Sequence, residues 1–290
     1  MKKSNSFGSR VFDFFNHFGL ILLALSCLIP FLNIISSSFV TVDEFMARNF
    51  ILIPRTFSLD AYRIVLSTPT IFRATAVSIG ITTVGTLVSI ILTSMMAYGL
   101  SRKYLYGRKL INFMVLFTML FSGGMIPTFL LVSQLGLINS YWSLILPGAI
   151  SAFNLIIMKN FFQGLPDSLE ESAKIDGCND IMIFIKIIVP LSMASFATIS
   201  LFYAVGYWNS FTGALLYLQD PNMWPLQFVL RQLVILATGI QGESDMVDVM
   251  PPAQTLQMAV IVISMVPMLI LYPFVQRHFV KGSLMGSVKG

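Results

Sequence analysis

Charge is what this sequence has least of. Asp, Glu, Lys and Arg make up 11% of its 290 residues, where a soluble globular domain carries about 25%. So thin a charged complement excludes an ordinary water-exposed surface and points to a membrane-embedded chain. Cysteine is as sparse: Cys27 lies in an apolar run and Cys178 in a polar one. Two isolated thiols exclude a disulfide framework, and neither stands at metal-ligand spacing from a partner. The histidines, His17 and His278, are equally solitary and read as membrane-boundary residues. No glycine precedes a lysine anywhere, so a G-x-x-x-x-G-K-[ST] phosphate loop is excluded. Neither a G-x-S-x-G elbow nor an H-E-x-x-H pair occurs. No catalytic residue, metal ligand or cofactor site is expected in this chain.

What it has instead is apolar length. A helix crossing a bilayer needs about 20 mostly apolar residues. Uncharged stretches of that order cover 14–42, 74–101, 110–158, 187–219 and 249–276. The third holds two helices, separated by the small and polar residues of QLGLINS at 134–140. The expected fold is all-α and polytopic, with six transmembrane helices near 14–39, 74–100, 110–132, 141–162, 187–208 and 254–276. A terminus at 1–13, a six-helix membrane domain at 14–280 and a tail at 281–290 follow. Barrel strands would alternate in about ten-residue segments, and none do. Gly123, Gly124 and Pro127 in SGGMIP predict close packing and a bend in the third span. The basic start MKKSNSFGSR precedes an apolar run too long for a cleaved leader and reads as an anchor.

The formal charge of +5 is topological. With both termini in the cytoplasm, thirteen Lys and Arg fall on that side and five on the other, the asymmetry expected of inner loops. Nucleic acid is not an implied partner. The long outer loops, near 40–73 and 209–253, are expected to carry short helices. The spans contain no Asp, Glu or Arg, and Lys159 stands only in the last turn of the fourth. Ion-coupled carriers place ionisable groups near the midplane. If this chain moves a solute uphill, the energy must therefore arrive from a partner.

Against this background one polar island stands out. LPDSLEESAKIDGCND at 165–180 packs five acids and one lysine into sixteen residues of the inner loop 163–186. Ser168 and Glu171 match a capping box. Glu170 and Glu171 sit in the first turn, where the helix dipole favours acids. Leu165, Leu169 and Ala173 repeat at four-residue spacing. Gly177 supplies a stop. The pattern predicts a short cytoplasmic helix with a small-residue face, Ser172, Ala173 and Gly177, suited to docking another protein.

The order ESAKIDG, twelve residues, then PL resembles the EAA loop of ABC importer permeases, with Glu171, Ser172, Ala173, Asp176, Gly177 and Pro190 at the matching positions. Ser172 replaces the usual alanine, small for small. The end FVKGSLMGSVKG resembles the tail of maltose-type sugar permeases, and residues 121–162 resemble the branch importing oligosaccharides or complex saccharides. The resemblance implies a type I importer permease in the bacterial plasma membrane. A second permease subunit, two ATPase subunits and an extracellular solute-binding protein would be its partners, with ATP and Mg bound by the ATPase. The island would be the coupling helix, Leu169, Ala173 and Gly177 making close contact and Glu170, Glu171 and Asp176 orienting it. Lys281, Gly282 and Lys289 of the tail would form a further ATPase contact. Sugar recognition needs polar and aromatic groups. The candidates are Asn139, Tyr141, Trp142, Asn154, Trp208 and Asn209, with Asn33 and Tyr207 nearby. The competing expectations are a permease for a peptide or amino acid, and a carrier or channel acting alone.

Overall fold

In the computed structural model, which describes residues 7–48, 50–237 and 254–286, every regular element among the described residues is helical. The chain divides into two compact units, Met1–Pro69 with Leu230–Val266 and Thr70–Val229 with Pro267–Gly290.

The first unit opens with α1 (Phe7–Ser37), followed by α2 (Val42–Ala47) and α3 (Asp60–Ser67). The apolar stretch of α1 has none of its residues buried, and a helix apolar all round belongs in lipid. Its last turns are tied to the loop that follows. The Asn33 side-chain oxygen accepts the Ile51 N–H at 2.8 Å, and the Ser36 hydroxyl donates to the Leu52 carbonyl at 2.7 Å. Beyond it, Phe39 stacks between Phe57 and Tyr62. Glu44, only 9% exposed, accepts from the Thr56 hydroxyl (2.6 Å), the Thr56 N–H (2.7 Å), the Arg55 N–H (3.0 Å) and Arg48 (3.0 Å). The Thr56 hydroxyl is foremost in holding this carboxyl down at about 2.

The second unit is built on α4 (Pro69–Ser101), 33 residues without a break. The remaining apolar stretches are interrupted. Between α5 (Arg108–Leu120) and α6 (Met125–Gln134) the axis turns by 116°. Gly124 there has φ +92°, a conformation open to glycine. The bend expected in the third span is thus a full break between two short helices. The fourth is α7 (Trp142–Ile145), a 3-10 turn at Leu146–Gly148 and α8 (Ala152–Gln163), bent by 52°. After α9 (Asp167–Ile175), the fifth runs through α10 (Asp180–Ile183), a π turn at Phe184–Ile188, α11 (Val189–Leu191) and α12 (Met193–Trp208), bent by 84°. Pro190 has no N–H for a fourth-neighbour carbonyl. The turn before it widens, and the Val189 N–H reaches the Phe184 carbonyl.

The long loop after α12 carries α13 (Thr212–Tyr217) and α14 (Leu226–Ala237), and α15 (Gln254–Gly286) ends the described chain. The backbone of α15 continues through Lys281 and Gly282, whereas Lys289 lies outside the described residues. Among the described residues, two helices are able by length and composition to cross a membrane, and up to five when each bent pair counts as one.

Broken helices strand backbone groups that lipid cannot satisfy. At the α7–α8 break two tyrosines of α12 satisfy them. The Tyr207 hydroxyl donates to the Ile145 carbonyl at 3.2 Å, and the Tyr203 hydroxyl accepts the Ser151 N–H at 2.9 Å. The same hydroxyls meet Ser89 (2.8 Å) and Thr93 (2.6 Å) of α4. Gly85 makes this approach possible, since a Cβ there would lie 2.8 Å from the Tyr207 ring.

Candidate coupling site

The polar island folds as α9, with its start shifted from expectation. Pro166, at φ −60°, occupies the N-cap position, and no side chain caps the helix. Ser168 thus lies inside the first turn and the capping box does not form; proline's fixed φ starts the helix earlier. At the other end Gly177 adopts φ +80°. The Gly177 N–H reaches the Lys174 carbonyl (3.0 Å) and the Cys178 N–H the Ala173 carbonyl (2.9 Å), a Schellman closure.

The two faces of α9 differ. Ala173 is buried in the core cluster that contains Met158, Phe162, Ile183 and Ile188. Glu170, 8% exposed, is buried beside it. Leu169, Glu171, Ser172, Asp176 and Gly177 face outward. Ile175 is 86% exposed, an apolar side chain presented at the helix tip. Of the residues expected to make the close contact, Ala173 is turned into the chain's own core, and Glu170, expected to orient the helix, is buried beside it. A helix this short has only one turn of surface for each job.

What holds it is three consecutive residues after α4. Arg102, 9% exposed, pairs with Glu170. Its Nε donates to the Ser101 hydroxyl (3.0 Å), and its guanidinium lies 4.6 Å from the Tyr98 ring centroid. Next, Lys103 donates to Asp167 at 2.8 Å. That bond is foremost in keeping the Asp167 carboxyl below the usual range. The third is Tyr104, whose ring sits 4.5 Å from the Lys174 ammonium and whose hydroxyl donates to Asp180 at 3.2 Å. Lys174 and Asp180 are also paired, at 3.4 Å. Every turn of α9 is thereby fixed to the end of α4. Sequence reasoning treated Arg102 and Lys103 as topological charges only. The available signal was a basic pair facing an acidic run of matching length. Ile175 was missed because its spacing fits neither face.

The residues proposed for a substrate path stand on several elements. Asn139 takes φ +57°, and its side-chain oxygen accepts from the Gln219 (3.1 Å) and Asp220 (3.0 Å) N–H groups, locking two loops. Asn154 is buried at the start of α8 and Trp208 at the end of α12, while Asn209 is exposed beyond it. Tyr141 and Trp142 line a cavity of about 470 Å³ with Arg73. Among the described residues no three His, Cys, Asp or Glu side chains form a metal-binding group.

Apolar helices, broken spans and a short polar helix clamped to the bundle define an integral membrane transport component. The family of binding-protein-dependent transport system inner membrane components matches residues 5–283, and the chain belongs to it. The chain is 58% identical over 284 residues to the polygalacturonan/rhamnogalacturonan transport system permease protein YtcP of Bacillus subtilis (strain 168), covering 97% of this chain and 99% of that one. With the trehalose/maltose transport system permease protein MalG of Thermococcus litoralis it shares 31% over 280 residues, 94% and 95% of the two chains. Among solved structures, it matches a chain of a bacterial ABC transporter involved in the import of the acidic polysaccharide alginate. There the TM-score is 0.85 at 32% identity, over 94% of this chain and 98% of that one. The fold is that of a type I permease, and the protein is a transporter subunit rather than an enzyme, with ATP hydrolysis in a partner.

Proposed function

We propose that this chain is one of two different permease subunits of an ATP-driven importer of acidic oligosaccharides. The observation that carries the mechanism is α9, held to α4 chiefly by the buried Arg102–Glu170 pair, with Lys103 and Tyr104 at the exposed edge of the contact, while presenting Leu169 and Ile175 outward. A peg transmits displacement only when it is rigid toward its own body and adhesive toward its driver, and α9 has both properties. In this reading the outer face of α9 seats in a cleft of one of two ATPase subunits. Those subunits bind ATP and Mg. As they close, α9 moves and carries α4, and the long unbroken helix swings the outer end of the pathway open. Lys281, Gly282 and Lys289 would add a second contact to the ATPase.

Six spans with both termini in the cytoplasm fit the thirteen-to-five distribution of basic residues. The polygalacturonan relative and the alginate neighbour support a saccharide bearing carboxylates. The test is reconstitution of the complete transporter in proteoliposomes with its binding protein. Oligogalacturonide should stimulate ATP hydrolysis and accumulate inside. Indifference of the ATPase to every saccharide tried would refute the proposal. Attachment of α9 is tested by Ile175→Cys, which should cross-link to the ATPase subunit; exclusive cross-linking elsewhere would rule out the docking.

A further inference from the structure

The cavity beside α4 joins one side chain of that helix to two neighbours much further along the chain. Arg73 stands in the first turns of α4, and Tyr141 and Trp142 at the start of α7. Ala76, Gly80 and Ile81 form part of the wall between them. Its volume of about 470 Å³ falls within the roughly 300–1,000 Å³ of small-molecule sites.

The electrostatics of this cavity are one-sided. No carboxylate pairs with Arg73 among the described residues. Its Nη1 donates to the Asn222 amide oxygen, which orients the guanidinium without neutralising it. Asp220 lies within electrostatic reach of Tyr141, as Arg73 does. Its Oδ1, however, accepts the N–H and amide of Asn222, at 2.8 and 2.9 Å. The same acid that steadies Asn222 thus steadies the arginine indirectly. The remaining N–H groups of Arg73 form a planar donor fork suited to a carboxylate. Trp142 is half exposed and Tyr141 lies at its side, offering aromatic faces to the C–H surface of a sugar ring.

We infer that Arg73, Tyr141 and Trp142 form a saccharide subsite that reads the carboxylate of a uronic acid residue. The inference rests on the import of saccharides proposed above and adds the group that selects the acidic ones. Arg73 binds the carboxylate, and Trp142 and Tyr141 cover the ring without regard to charge.

The experiment uses the complete transporter with its binding protein in proteoliposomes. It compares uptake of trigalacturonate with that of its carboxyl-reduced, neutral counterpart. Arg73→Gln should lower the acidic-to-neutral uptake ratio about tenfold, the loss of one charge-assisted contact. Arg73→Lys should fall between, because lysine keeps the charge and loses the fork. Trp142→Ala should depress both sugars and leave the ratio in place. An unchanged ratio in Arg73→Gln overturns the subsite, whether uptake is normal or both sugars drop together. The latter is the result expected if Arg73 only anchors the chain at lipid phosphates. Transport of neither sugar by the unaltered complex overturns the saccharide proposal itself, and this subsite with it.

Discussion

Two buried glutamates, one in each compact unit, show opposite uses of a carboxylate. Glu44 and Glu170 are almost equally hidden from solvent. The partners of Glu44 all lie within twelve residues of it, and two are backbone N–H groups of Arg55 and Thr56. It folds a loop onto itself. Glu170 has Arg102 as its ion-pair partner, 68 positions away and at the end of another helix. It joins two elements that must move as one. A carboxylate satisfied locally sets a shape, whereas one satisfied at a distance transmits a displacement.

The largest effect is expected from breaking the distant pair. Removing one member of a buried ion pair strands the other and costs about 3–5 kcal/mol. Arg102→Met or Glu170→Gln should therefore release α9 while leaving its docking face intact. The measurement is saccharide imported per ATP hydrolysed, which should fall more than about tenfold while the ATPase stays bound. The double replacement Arg102→Met with Glu170→Met should recover thermal stability lost in Arg102→Met, since a well-packed apolar pair replaces a buried ion pair at little cost. If the single variants import with unchanged stoichiometry, α9 is not driven through Arg102.

Next comes Gly177→Val. The left-handed φ of +80° at Gly177 is unfavourable for a β-branched residue by about 1–2 kcal/mol. No neighbour lies within 4 Å of the added Cβ, so the cost is conformational rather than steric. Uptake should drop several-fold, with Gly177→Asn retaining more because asparagine tolerates this conformation. Equal activity of the two variants would contradict a role for the Schellman closure.

These contrasts explain what was legible in the sequence. Uncharged length announced the apolar helices, and Gly123, Gly124 and Pro127 announced the sharp bend after α5. The island at 165–180 announced a short helix ended by Gly177. The inward turn of Glu170, with Glu171 left outside, was not legible. Adjacent acids carry the same local signal, and Arg102 chooses between them from another part of the chain. The start of α9 was misplaced for a related reason: Ser168 fits a capping box, but proline at 166 begins the helix before serine can cap it. Arg73 counted only as an outer charge until the fold set it beside Tyr141 and Trp142. Tyr203 and Tyr207 gave no sign of their partners either, because the groups they satisfy exist only once the fourth span is broken.

A smaller and local effect is expected at Glu44. Its carboxyl is held at about 2, against 4.5 ordinarily, with the Thr56 hydroxyl bond the largest cause. A depressed carboxyl stabilises the folded loop fully above its unfolded value and loses that contribution as pH falls through the folded one. Between pH 4.5 and 2 the loop from Thr41 to Thr56 should therefore loosen, read as faster amide hydrogen exchange at Arg55 and Thr56. Glu44→Gln should exchange faster at neutral pH and lose this acid dependence. Exchange at α9 should be unaffected by Glu44→Gln, which separates the local acid from the distant one.

The smallest effect belongs to Lys103 and Asp167, which copy the arrangement of Arg102 and Glu170 on the surface. Their 2.8 Å contact is as short as a strong charged hydrogen bond. Both side chains, however, are 80% and 63% exposed, and water and salt screen such pairs to near irrelevance. Lys103→Ala should change saccharide imported per ATP by less than about twofold, and the change should vanish at high ionic strength. The neighbouring Arg102→Met effect should persist there, because its partner is buried. If Lys103→Ala uncouples transport as strongly as Arg102→Met, the clamp on α9 works as one network, and burial is not what gives Glu170 its leverage.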